Sequence, residues 1–199
     1  MSLPAGFTLH DAHLDVAAQT AMAADLRAVA EAAPMFHPET RWGKQMSVKM
    51  TSAGRVGWFS DRRGYRYEMQ HPSGTSWPPI PDSVLTVWRD VSAWDGDPDC
   101  CLINYYDEGA KMGQHQDKDE NAFDAPVVSI SLGDPARFRM GGTERSDKTA
   151  SVELKSGDVI VMGGPSRLAY HGVDRIEFGA SPLLPKGGRI NVTLRVVNR

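Results

Sequence analysis

At 199 residues and 21.8 kDa the chain is long enough for one domain with a substantial core and does not demand a second. Its 41% hydrophobic and 24% charged residues suit a soluble globular protein; no apolar run approaches the roughly 20 residues of a membrane helix, and MSLPAGFTLHDAH lacks the regions of a secretory signal. The net charge of −3 argues against a bulk nucleic-acid binder; without a signal or an apolar span, the expectation is a cytoplasmic protein with no membrane partner, and a monomer as default.

An alanine-rich run from about Asp15 to Ala33, closed by Pro34, predicts an N-terminal helix. The segment from Arg41 to Tyr67 holds seven bases against the single acid Asp61, a net +6 that leaves the rest of the chain at −9. Trp42, Trp58, Phe59, Tyr65 and Tyr67 are interleaved with those bases. Such a mixture serves phosphate contact and base stacking, or else forms a solvated basic hairpin with its aromatics packed inward. A second helix is expected near Pro81-Asp82, covering SVLTVWRDVSAW with Asp82 as its cap.

From residue 99 onward CCLINYY, VVSISL, ARFRM, SVEL, DVIVM and INVTLRVV read as short strands separated by Gly, Pro, Asp and Lys turns. They predict a mainly β fold with flanking helices, a double-stranded β-helix of the jelly-roll type. Cys100 and Cys101 are too close to staple distant segments and are expected as a buried, reduced pair.

His115 and Asp117, in HQDKDE, would lie side by side on one face of an extended strand while Gln116 turned away. The pair suits either a metal ion or a surface hydrogen bond. His171, just after DVIVM, offers a third ligand; two histidines and a carboxylate on one side of a metal form the facial triad of non-heme Fe(II) oxygenases, with positions open for cosubstrate and O2. In RINVTLRV, Arg189, Asn191, Thr193 and Arg195 share one face and Ile190, Val192, Leu194 and Val196 the other. The polar face goes to water in an ordinary half-buried strand, or lines a cavity in a ligand-binding jelly roll. There an arginine would pair with a carboxylate, so a dicarboxylate such as 2-oxoglutarate would span iron and arginine. Leu102, Asn104 and Tyr106 share a face by the same rule. Asp119 is expected on the site side if the strand continues, with Lys118 and Glu120 facing out.

The segments LINYYDEGAKMGQHQDKDE, APVVSISLGDPARFRMGG, SGDVIVMGGPSRLAYHG and RINVTLR resemble the AlkB family of Fe(II)- and 2-oxoglutarate-dependent dioxygenases, which act in repair of alkylated nucleic acid. MSVKMTSAGRVGWFSDRRGYRYE resembles that family's nucleotide-recognition lid. The likeness runs from about Met46 to Arg195. It implies one domain over 1–199, with an N-terminal helical extension at 1–40, the lid at 41–80 and the jelly-roll catalytic core at 99–199. It implies that His115, Asp117 and His171 bind iron, that Arg189 holds the distal carboxylate of 2-oxoglutarate, and that Asn104, Tyr106, Asn191 and Arg195 complete that pocket. Trp58 would stack on the damaged base, Tyr65 touch the substrate backbone and Asp119 face the base's polar edge. Met162 and Ile190 stand where the family's pattern leads one to expect aromatics, and both are expected to affect pocket shape.

The activity so implied is oxidative demethylation of bases such as 1-methyladenine and 3-methylcytosine in single-stranded DNA or RNA. Oxygen and 2-oxoglutarate would be consumed, and succinate, CO2 and formaldehyde released. A base methylated on a ring nitrogen is cationic, which gives Asp119 and the π face of Trp58 a purpose. Because the methyl group blocks pairing, the nucleotide is unpaired or cheaply flipped. Two other readings are a nonenzymatic binder of alkylated nucleic acid and a related oxygenase acting on a non-nucleic substrate.

Overall fold

The structure is a computed structural model and describes residues 3–198. The chain folds into a six-stranded and a four-stranded antiparallel sheet, with a separate two-stranded hairpin. The larger sheet has the order β1 (Phe7–His10), β10 (Val159–Met162), β7 (Val127–Gly133), β12 (Arg189–Arg195), β5 (Cys100–Tyr106), β2 (Lys49–Gly54). The smaller runs β6 (Met112–His115), β11 (His171–Ile176), β8 (Ala136–Met140), β9 (Ala150–Leu154), and the hairpin is β3 (Gly57–Asp61) with β4 (Gly64–Glu68). This is the expected jelly roll. The expected strands are present, joined in the two larger sheets by β1, β2, β6 and β11, which are too short or too polar to show a period. Within the first forty residues β1 therefore joins the larger sheet on β10, and β2, from the segment read as lid, joins it on β5.

Strand alternation divides the apolar residues into two layers. Cys101, Ile103, Val128, Ile130, Val159, Val161, Ile190, Val192 and Leu194 form one cluster with residues of the two helices, α1 (Val16–Ala32) and α2 (Asp82–Val91). Trp88 of α2 is fully buried there with its indole N–H on the Gly96 carbonyl at 2.9 Å, a burial that contributes about 2–3 kcal/mol. Cys100, Leu102, Tyr106, Val127, Ile160 and Met162 point the other way and meet Phe138, Met140, Leu154 and Val173 of the smaller sheet. Both thiols are buried and free, and burial pushes that of Cys100 up to about 12.

Helix α1 begins as the sequence predicts: the Asp15 carboxylate accepts from the Ala18 amide at 2.8 Å. Two expectations for α2 need correction. Pro81, extended at φ −61° and ψ 144°, occupies the cap position, and Asp82 is the first helical residue, favoured there by the positive end of the helix dipole. The helix also stops at Val91 rather than continuing through Trp94, because Ala93 adopts a left-handed φ of 51°. No described helix is long and apolar enough to cross a membrane.

Candidate active site

The sheets enclose a cavity of about 720 Å³, open beneath the β3–β4 hairpin. His115, the last residue of β6, lies opposite His171, the first of β11, and their rings are 4.5 Å apart. Gly172 permits this approach, since a Cβ there would sit 2.6 Å from the Met112 carbonyl oxygen. Asp117 lies just past the end of β6, so the pair is not held by strand geometry as expected. It is held by neighbours: Gln116 Nε2 donates to the Leu168 carbonyl at 2.7 Å, and Arg167 donates to the Asp117 carbonyl at 2.7 Å.

One donor atom from each of His115, Asp117 and His171 lies within 4.8 Å of the others. Nε2 of His115 is 3.7 Å and Nε2 of His171 is 3.8 Å from Asp117 oxygens. The Nδ1 atoms bond backbone carbonyls, of Gly113 at 2.9 Å and Ala169 at 3.0 Å. That fixes the protons on Nδ1 and leaves both Nε2 lone pairs facing Asp117, the orientation a metal needs. Burial and the neighbouring His115 push His171 down to about 4, so it is a neutral ligand at physiological pH. Burial pushes the Asp117 carboxyl up, but Arg195 and the two histidines outweigh it and hold the group below the usual carboxylate range.

The spacing His-x-Asp also occurs at His13 and Asp15, where nothing similar assembles. Asp15 caps α1, and His13 lies 3.7 Å from Asp90. Spacing alone does not choose the site; the third residue does.

Arg189, Asn191, Thr193 and Arg195 line the cavity with Asn104 and Tyr106, while Ile190 packs on the helix side. The polar face of β12 thus turns inward. Met162 lines the cavity, but Ile190 cannot shape it, because strand alternation places it on the opposite face. Arg189 is 1% exposed; it donates to Ser131 Oγ at 2.7 Å and to the carbonyls of Asp134 and Leu154, both at 3.3 Å, while its Nε has no partner among the described residues. Burial pushes its guanidinium down to about 10. Asn104 faces Asn191 across the strand pair and donates to it at 3.3 Å, while its own buried Oδ1 has no hydrogen-bond partner among the described residues. Arg195 lines the same cavity, and its guanidinium spans Asp117 and Glu120.

At the mouth, Trp58 Nε1 donates to Asp119 Oδ2 at 3.1 Å, and Tyr65 stacks on Trp58 with 5.6 Å between centroids and 25° between planes. Trp42 is exposed beneath Arg41, whose guanidinium lies 4.6 Å from its ring centroid. Phe59 and Tyr67 turn inward, toward Phe36 and Glu120 respectively. The aromatics of the basic segment are therefore divided, Trp58, Tyr65 and Trp42 toward the mouth and Phe59 and Tyr67 inward. Most of its arginines are matched by acids: Arg55 by Asp99, Arg62 by Glu39, Arg63 by Asp61, and Arg66 by Asp61 and Glu68.

Lys118 faces out as expected, but Glu120 does not. It is 4% exposed, accepts from Tyr67 Oη and Arg167, and forms an ion pair with Arg195 at 3.4 Å. The outward expectation assumed a continuing strand, and β6 has already ended. Arg145, which lines the mouth 5.5 Å from the Tyr170 ring, and Arg167 were not anticipated, since both lie in irregular segments without periodicity.

The model of the 2OG-Fe(II) oxygenase superfamily matches residues 8–195. An AlkB homolog of Caulobacter vibrioides, described as an alpha-ketoglutarate-dependent dioxygenase, is 51% identical over 191 residues, covering 96% of this chain and 87% of its own. Escherichia coli AlkB is 42% identical over 176 residues, 86% of this chain and 81% of that protein. The solved structure of OsALKBH1 superposes with a TM-score of 0.84 at 32% identity, over 98% of this chain and 99% of that one. A jelly roll with a His-Asp-His cluster facing a buried arginine, matched along almost its whole length, places this chain in the AlkB family of Fe(II)- and 2-oxoglutarate-dependent dioxygenases.

Proposed function

We propose that this dioxygenase removes alkyl groups from ring nitrogens of bases such as 1-methyladenine and 3-methylcytosine in single-stranded DNA or RNA, acting in the cytoplasm. The observation that carries the reading is the continuity of one cavity from Arg189, past the His-Asp-His cluster, to Trp58, Tyr65 and Asp119. The residues present fit iron and 2-oxoglutarate. Three donor atoms converge, and beyond them Arg189 Nε and Asn104 Oδ1 are buried without hydrogen-bond partners among the described residues. A buried cation lacking a bonded carboxylate is what a bound carboxylate would complete.

In this reading His115, Asp117 and His171 hold the iron. Arg189 takes the distal carboxylate of 2-oxoglutarate, with Asn104, Tyr106, Asn191 and Arg195 around the remainder. Together with O2, the bound pair supplies an oxidation that places one oxygen atom on the methyl carbon as 2-oxoglutarate becomes succinate and CO2. The protein's work is orientation. Trp58, supported by Tyr65, offers a π face to the cationic base, and Asp119 offers it a carboxylate. Tyr65 reaches the substrate backbone. The hydroxymethyl group left on nitrogen then expels formaldehyde and restores the base, without a protein nucleophile.

The test is anaerobic loading with Fe(II) and 2-oxoglutarate, then air and a single-stranded oligonucleotide carrying 1-methyladenine or 3-methylcytosine. Loss of the methyl mass coupled to succinate is expected. Succinate without demethylation overturns the substrate and leaves the iron site standing.

A further inference from the structure

Beneath the hairpin, four charged side chains are buried together: Asp117, Glu120, Arg167 and Arg195. Two acids and two bases make the cluster neutral, and each charge meets an opposite one. Arg195 lies 2.8 Å from Asp117 Oδ1, donates through Nε to Asp117 Oδ2 at 3.1 Å, and stands 3.4 Å from Glu120 Oε1. Arg167 reaches Glu120 Oε2 at 3.2 Å. The fifth member is Tyr67 of β4, whose hydroxyl donates to Glu120 and lies 3.4 Å from Arg195. Burial pushes that hydroxyl far above its ordinary range, so it remains a donor.

We infer that Glu120 is a positioning residue that couples the hairpin to the metal carboxylate: Tyr67 binds Glu120, Glu120 shares Arg195 with Asp117, and lid position and ligand geometry are thereby linked. The inference rests on Asp117 being a metal ligand. Without the Glu120 charge, Arg195 would have Asp117 as its sole anionic partner here, and its positive charge would oppose a divalent ion at the same oxygens. Partners of this kind tune metal affinity by roughly 10–100-fold. Coupling is reciprocal, so metal binding must also steady β4.

Cobalt(II), bound to the whole protein without cosubstrate, reads this directly through its affinity and visible absorption. Glu120→Gln preserves shape and is expected to weaken cobalt binding roughly 10–100-fold. A folded Glu120→Gln protein with affinity within about twofold of the parent, well short of that range, overturns the proposal. Tyr67→Phe keeps all four charges and decides the matter should Glu120→Gln not fold. In the parent, cobalt is expected to slow amide exchange across Gly64–Glu68, and in Tyr67→Phe that slowing should vanish. Its persistence overturns the coupling, whereas a merely structural tyrosine would lower Tm and leave the cobalt response intact. Unchanged cobalt binding in Asp117→Ala would overturn the ligand assignment and the inference with it; failure to demethylate an oligonucleotide would leave these readouts untouched.

Discussion

The indole of Trp58 and the carboxylate of Asp119 are joined by a 3.1 Å hydrogen bond, which ties the hairpin to the loop that carries Asp117. The same carboxylate therefore orients the stacking ring and sets the charge beside it. Asp119→Asn keeps an acceptor for the indole and removes the charge. It should raise KM for a cationic methylated base about tenfold while leaving affinity for the unmodified oligonucleotide unchanged, as for loss of a modest charge-assisted contact. Equal weakening of both would assign Asp119 a purely structural part.

Arg189 gives a prediction with opposite signs for stability and function. A buried guanidinium with no carboxylate partner carries an uncompensated desolvation cost, and an apolar chain of similar length removes that cost together with three modest hydrogen bonds. Arg189→Met should therefore leave the metal-free, cosubstrate-free Tm unchanged or raised. It should raise KM for 2-oxoglutarate about 100-fold, the worth of two hydrogen bonds to a charged group, and abolish the rise in Tm on adding 2-oxoglutarate. A large fall in Tm without the cosubstrate would contradict this.

The pH dependence follows from His171. Its folded value of about 4 lies below the unfolded value of 6.5, so over that window the unfolded chain takes up the proton first. The associated stability is fully present above 6.5 and is lost as pH falls toward 4. Asp117, held below its ordinary range, adds a loss in the same direction at still lower pH. Thermal melts of the metal-free protein should show Tm falling through this interval, with His171→Gln flattening the fall.

Salt dependence measures how much of the lid's charge is free. A strand meeting six uncompensated cations would show a slope of log K against log salt of about −4. Most lid arginines already face acids, while Lys44, Lys111 and Arg145 line the mouth without an ion pair among the described residues. Three such contacts give about −2. A titration in increasing salt separates the two.

Much of this architecture was legible because period two is a strong signal where it holds. The sequence of β12 alone separates Arg189, Asn191 and Arg195 from Ile190, Val192 and Leu194, and the fold honours that separation. His115, Asp117 and His171 were legible as residue types, although the loop that joins the first two was mistaken for strand. Glu120 was misread for the same reason: once β6 stops, alternation no longer says which way a side chain points. Arg167 and Tyr67 reach their partners 47 and 53 residues away in sequence, across contacts that no local pattern encodes. The apparent charge of the lid was also misleading, since its pairing with Glu39 and Asp99 depends on tertiary neighbours.

The two faces of β12 have one more consequence. Shifting the strand by one position would drive Arg189, Asn191 and Arg195 into the helix-packed layer and expose Ile190, Val192 and Leu194 to the cavity, so every neighbouring register is heavily penalised. The strand can tolerate exchange of individual side chains, but not a gain or loss of one residue. The same alternation that places Arg189, Asn191 and Arg195 in the pocket thus places Ile190, Val192 and Leu194 in the core, so a change of length within β12 would damage both at once.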